Sequence, residues 1–238
     1  MFGRRLFFVA RVPAPRMTKL TYSASISLDG FTAGPNQGPK QPLGVRGELL
    51  HEWMRRLAVW RKAAGLKGGI TNANTKIIEE EDQNVGALIM GRNMFGGGPG
   101  PWPTPAWDGW WGDDPPFHLP VFVLTHYKRE PLVCQGGTTF YFVTKGPPTA
   151  RRLAMGAAKG NDVAIGGGSG VAKQFLGAGL IDEFTLHLVP VFLGGGVRLF
   201  DNELLSQVRL KQVKAVEAPG VTHLTYRAEH RSRSQHRR

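Results

Sequence analysis

The strongest constraint on this chain is a rhythm of short apolar runs separated by amphipathic stretches. The runs are KLTYSASISL (19–28), ALIMG (87–91), PVFVLTH (120–126), TTFYFVT (138–144), DVAIG (162–166) and FTLHLVPVF (184–192). Each has strand length and is too short for a buried helix. Residues 46–62 repeat Leu49, Leu50, Trp53, Met54, Leu57 and Trp60 at helical spacing, and 73–84 and 148–159 read as further helices. Strands joined through helices must run parallel, because a crossover returns the chain to the same end of the sheet. Pro190 ends, bulges or edges its strand. SQVRLKQVKAVE (206–217) and VTHLTYRA (221–228) flank the turn Ala218-Pro219-Gly220 and read as a hairpin. The expected fold is α/β: a central, mostly parallel mixed sheet flanked by helices, with an antiparallel C-terminal hairpin.

The segment DVAIGGGSGVAKQFLGAGL (162–180) poses the functional question. A strand stops at Gly166. The stripe Val171, Ala172, Phe175, Leu176 and Leu180 then marks a helix from Ser169 or Gly170 to Ala178, with Gly179 suited to its C′ cap. Strand ends of this kind form ligand crevices in α/β sheets. A helix N-terminus offers free N–H groups and partial positive charge to an anion. A phosphate cradle and a plain strand–helix corner both fit this spacing. The Gly-x-Gly-x-x-Gly fingerprint fails, since Val171 or Lys173 stands at its third position. No Gly-Lys-Ser/Thr follows for a P-loop. Gly167-Gly168-Ser169-Gly170 misses a nucleophile elbow at Val171.

Residues 96–118, GGGPGPWPTPAWDGWWGDDPPFH, are punctuated by Gly and Pro and must be irregular. Long ordered loops are usually functional. Trp110 and Trp111 could wall a pocket for a flat heterocycle, or the loop could serve as a lid or a dimer contact. The net charge of +12 is concentrated at the ends: residues 1–16 and 227–238 contribute +4 each. The tails have the composition of solvated segments, and their aromatics are confined to Phe2, Phe7 and Phe8. No stacking platform results, so nucleic acid is not expected as a partner. The division expected is a basic leader 1–16, one domain 17–228 and a basic tail 229–238. Cys134 is the only cysteine, which excludes an intrachain disulfide and suits the cytoplasm. No metal spacing occurs among the histidines, and no apolar run reaches membrane-spanning length.

Three motifs in order carry a resemblance: SLDGFTA (27–33), MGRNMF (90–95) and AIGGGSGVAKQFL (164–176). Together they resemble the dihydrofolate reductase superfamily, and within it the RibD C-terminal reductases of riboflavin biosynthesis, over about Met17 to Arg227. The resemblance implies NADPH as cofactor, a small-molecule substrate and a homodimer. It places Gly91, Arg92, Asn93 and Met94 near the cofactor phosphates, and Thr125 and His126 beside the adenosine 2′-phosphate. Gly166, Gly167, Gly168, Ser169, Gly170 and Val171 take the pyrophosphate turn, with a cis peptide expected at Gly166–Gly167. Ser25, Thr32 and Ala33 lie along the nicotinamide half. Asp29 and Glu52 are the candidate acids, although no carboxylate matches the pterin-binding one of dihydrofolate reductases. The implied activity is NADPH-dependent hydride transfer to a small heterocycle such as a ribosylaminopyrimidine. The alternatives are a dihydrofolate or pterin reductase, and a non-catalytic nucleotide- or nucleic-acid-binding protein on the same scaffold. The zinc deaminase signature is absent, so a deaminase step would need another chain.

Overall fold

A computed structural model describes residues 17–38, 40–200 and 208–229. The expected leader 1–16, and the expected tail beyond Glu229, lie outside the described residues. The strands are β1 (Leu20–Ser27), β2 (Phe31–Ala33), β3 (Val85–Gly91), β4 (Pro120–Leu124), β5 (Leu132–Val133), β6 (Thr139–Val143), β7 (Asp162–Gly166), β8 (Glu183–Val189), β9 (Val197–Arg198), β10 (Arg209–Ala218) and β11 (Val221–Glu229). The helices are α1 (Glu52–Arg55), α2 (Ala58–Ala63), α3 (Ala73–Asp82), α4 (Arg92–Phe95), α5 (Gly146–Ala157) and α6 (Ser169–Gly177).

Nine strands form one sheet in the order β10-β11-β8-β1-β7-β3-β4-β6-β5. Pairings from β8 through β1, β7, β3, β4 and β6 are parallel. The hairpin β10–β11 joins β8 antiparallel, as its turn chemistry predicts. β8 stops at Val189, just before Pro190, which has no N–H to give a ladder. Two short pairings were not expected: β2 with β9 as a separate ribbon, and β5 along β6.

β1 shows how the layers form. Leu20, Tyr22 and Ile26 point into the main core against α5 and α6, with Val163, Ile165, Phe175 and Phe184. The alternate residues Thr21, Ser23, Ser25 and Ser27 give the opposite face a stripe of hydroxyls. Two smaller cores flank that stripe. Leu50, Trp53 and Leu57 pack on Val189 and Val221, while Phe95 and Phe140 anchor the tryptophan loop. α6 ends as expected: Gly179 N–H donates to Leu176 O and Leu180 N–H to Phe175 O, a Schellman cap with Gly179 at φ +62°.

The single helix expected over 46–62 is a correction. A 3-10 turn (Gly47–His51), α1 and α2 replace it, and Leu57 is extended at φ −72°, ψ 138°. Ile70 takes the freed hydrogen bonds, giving its N–H to Arg56 O and accepting from Ala58 N–H. That distant segment outweighs local helical periodicity.

Tyr22 carries a buried hydroxyl without a hydrogen-bond partner, and burial pushes its ionisation well above the usual phenol range. An unsatisfied buried donor costs about 1–3 kcal/mol. Tyr22→Phe is therefore expected to leave stability unchanged or raise it by about 1 kcal/mol in urea denaturation. A loss of similar size would mean that the hydroxyl is bonded after all.

Candidate functional site

The glycine corner stands at the C-terminal end of β7, between β1 and β3. Tyr22 pairs with Ile165, so β1 runs on beyond the end of β7 and brings Ser25 level with the glycines. The Gly166–Gly167 peptide is trans, contrary to expectation: the only cis bond among the described residues is Thr104–Pro105. Gly167 makes the turn instead, at φ +90°, a region closed to most L-residues. A Cβ there would lie 2.5 Å from Met94 Sδ. At Gly91, a Cβ would lie 2.5 Å from Val171 Cγ2, so the end of β3 packs directly on α6. Gly168 and Gly170 differ, since a Cβ on either would meet nothing within 4 Å. Ser169, 2% exposed at the first position of α6, has a buried hydroxyl with no partner. An orphaned hydroxyl at a helix N-terminus, beside two open glycines, is the donor set an anionic group needs.

The second strand end carries Arg92 and the exposed Asn93. Arg92 gives its planar fork to loop carbonyls, donating to Gly100 O at 2.9 Å and to Gly97 O at 3.2 Å. Its guanidinium lies 3.6 Å from the Trp102 ring centroid, and burial lowers its pKa. Arg129 braces the same loop through Trp107 O and Asp108. The tryptophan loop is thus bolted to the scaffold. Trp111 stacks on Phe140 with a 15° interplanar angle, inside the third core. Trp110 leans on Trp107 and is 55% exposed, leaving flat aromatic surface to solvent. Thr125 is buried and accepts from Tyr127 N–H, and His126 is exposed beside it. Thr32 donates to Val197 O, and Ala33 is buried in the β2–β9 ribbon.

Both candidate acids are placed, with different consequences. Asp29 accepts from Leu193 and Gly194 N–H and from the Ser27 hydroxyl. The Ser27 hydrogen bond, with help from the two amides, lowers its pKa to about 2. It is therefore a carboxylate clasp with no proton to give near neutral pH. Glu52 is exposed at the start of α1.

Sequence reasoning missed a polar row across the same sheet face. Ser25 pairs in register with His187, and His187 with His223. Trp53 covers the row, donating its indole N–H to Ser25 Oγ at 3.2 Å, with its ring 5.0 Å from His187 and 5.2 Å from His223. Asn74 of α3 closes it, 2.8 Å from His223 Nε2. No local signal marks it: His187 and His223 stand on separate strands, and strand pairing alone brings them together. Burial, with His187 and Lys214 nearby, lowers the pKa of His223 to about 4. Its unfolded value is near 6.5, so between these limits the unfolded chain binds the extra proton. Stability is accordingly expected to fall by on the order of 2–3 kcal/mol as pH drops from about 6.5 to 4. Urea melts across that range would show it, and a His223→Gln variant with an unchanged pH slope would remove His223 as the cause.

A cavity of about 310 Å³ lies elsewhere. It opens at the N-terminal ends of the strands, between Lys19, Asp162 and Glu183 on the sheet side and Glu81 of α3. Ligands of open α/β sheets sit at the opposite ends, so the glycine corner is the better candidate. Among the described residues no group of His, Cys, Asp and Glu could hold a metal ion.

Comparisons with known proteins bear on the family and the fold. The family model for the RibD C-terminal domain matches residues 18–224. A 53-residue stretch is 38% identical to the uncharacterized protein YwjB of Bacillus subtilis (strain 168), covering 22% of this chain and 30% of that protein. Among solved structures, a Shewanella sp. PV-4 protein assigned to riboflavin biosynthesis superposes with a TM-score of 0.57 at 24% identity, over 89% of this chain and 99% of that one. The Saccharomyces cerevisiae riboflavin biosynthesis reductase Rib7 gives 0.50 at 14% identity, over 90% and 89%. The Thermotoga maritima deaminase/reductase gives 0.51 at 13% identity over 89% of this chain, which spans 57% of that protein. At these identities the structures establish a shared fold.

Proposed function

As a member of the RibD C-terminal domain family, this chain is, we propose, an NADPH-dependent reductase acting on a small heterocyclic metabolite, such as a ribosylaminopyrimidine precursor of riboflavin. The carrying observation is the orphaned Ser169 hydroxyl at the head of α6, beside a glycine turn that leaves room for an anion. In this reading Gly166, Gly167, Gly168, Ser169, Gly170 and Val171 hold the pyrophosphate through backbone N–H groups and one hydroxyl. Gly91, Asn93 and Met94 form the facing wall. Thr125 and His126 lie beside the 2′-phosphate. Arg92, its fork engaged by the tryptophan loop, adds long-range positive charge and holds the wall in place. Ser25, Thr32 and Ala33 border the nicotinamide, and Trp110 offers the substrate a flat face. Bound NADPH would supply the hydride. The protein's part is to orient the two reactants and exclude water between them. The proposal extends to a homodimer working in the cytoplasm. No helix among the described residues is long and apolar enough to cross a membrane.

A second reading is nucleotide binding without turnover, favoured by the ionised state of Asp29 and the exposure of Glu52. Titration with NADPH and NADH, followed by quenching of the six tryptophans, tests both. NADPH is expected to bind at least tenfold more tightly than NADH. Failure of both to bind would reduce the glycine corner to a structural turn. Binding without oxidation of NADPH across a panel of pyrimidine and pterin precursors would favour the second reading.

A further inference from the structure

The buried histidine pair permits a count of its protons. His187 and His223 are 4% and 2% exposed, and their Nδ1 atoms lie 2.8 Å apart. Asn74 sets the polarity at one end. Its amide N–H donates to Pro219 O at 3.1 Å, so its carbonyl oxygen must be the atom 2.8 Å from His223 Nε2. A carbonyl only accepts, and His223 Nε2 therefore carries a proton. At the other end, His187 Nε2 faces the carboxylate of Glu81 at 3.5 Å. That is an ion-pair separation longer than a hydrogen bond, and a proton on the nitrogen would turn a lone pair facing a carboxylate into an attraction. Between the rings, two nitrogens at 2.8 Å need a third proton on one of them.

Two neutral imidazoles hold two ring N–H protons, and this arrangement uses three. We propose that His187 and His223 form an imidazole–imidazolium pair holding one extra proton, whose charge is balanced by Glu81. The pair latches α3 to the sheet. It grips Asn74 near the first turn of α3 and Glu81 near the last, from β8 and β11. The surroundings are mixed. His51, flanked by Arg55 and Glu48, faces the pair from the 3-10 turn, Lys214 from β10, and uncharged Trp53 and Ser25 from α1 and β1. Glu80 beside Glu81 is engaged by Lys214, which leaves Glu81 as the counterion in contact with the rings. A fourth proton would oppose two N–H groups across the Nδ1–Nδ1 contact and open the latch in acid. Burial, and after it the neighbouring His187, also disfavour a charge on His223.

Long-range ¹H–¹⁵N correlation spectra of the ¹⁵N-histidine-labelled full chain at pH 7 test the count without any substitution. The pair is expected to show three protonated ring nitrogens and one lone-pair nitrogen, or an averaged signal if the bridging proton is shared. Two neutral rings with two protonated nitrogens in all, whichever nitrogen of His187 carries its proton, would overturn the proposal. Glu81→Gln can donate to His187 Nε2 itself, so the extra proton should leave and the count fall to two. Three protonated nitrogens in that variant would overturn the role of Glu81. For the latch, amide exchange corrected for intrinsic rates is expected to speed at least tenfold in α3 between pH 7 and pH 4, with α5 unchanged as reference. Equal changes in the two helices, or none, would refute the latch.

Discussion

Gly167→Asp is expected to raise the Kd for NADPH at least a hundredfold, close to abolishing binding. Three effects act together. An L-residue at φ +90° is strained by roughly 1–3 kcal/mol. Its Cβ would stand 2.5 Å from Met94 Sδ and 3.2 Å from Met94 Cβ, so the Met94 side chain must shift. A carboxylate at the mouth of the turn would also repel the pyrophosphate. Gly168 separates charge from strain, because it sits at φ −67° with open space around it. Gly168→Ala should fold as the parent does, and Gly168→Asp should fold normally yet lose clearly more affinity than the alanine variant. Calorimetric titration with NADPH, alongside circular dichroism, measures all three. Parent-like affinity in both aspartate variants would remove the turn from the cofactor site.

Phe95→Ala is expected to cost about 3–5 kcal/mol of unfolding free energy, the range for deleting a buried aromatic ring. Phe95 is fully buried, with the rings of Phe140, Phe142 and Trp102 at 5.1, 5.2 and 5.8 Å. Its carbonyl also accepts the Trp107 indole N–H at 2.8 Å. The cavity would open beneath the tryptophan loop, so fluorescence should shift as the loop loosens. Phe95→Leu keeps most of the volume and should cost under about 1.5 kcal/mol. A loss below 1 kcal/mol in the alanine variant would show that the loop does not depend on this ring.

The same loop shows where sequence reasoning loses its hold. Its glycines and prolines correctly exclude regular structure, but nothing local foretells that Arg92 binds Gly97 and Gly100 rather than standing free. Asp29 reads locally as a turn residue or an acid. The neighbouring Ser27 hydroxyl does most to hold it ionised, but only the approach of Leu193 and Gly194, more than 160 residues away, makes it a clasp. The row Ser25–His187–His223 has no counterpart in any linear pattern, because its members sit on β1, β8 and β11.

The amino-acid sequence by itself determined the parallel sheet, the C-terminal hairpin, the cap at Gly179 and the position of the glycine corner at a strand end. These follow from side-chain periodicity and from the backbone freedom of glycine and proline, which act over a few residues. Tertiary structure alone decided the break at Leu57, the trans turn at Gly167, the engagement of Arg92 and the pairing of the two histidines. Each of those depends on a partner brought close by folding, and the free energy of such a contact is unreadable from the short stretch of chain on either side of it.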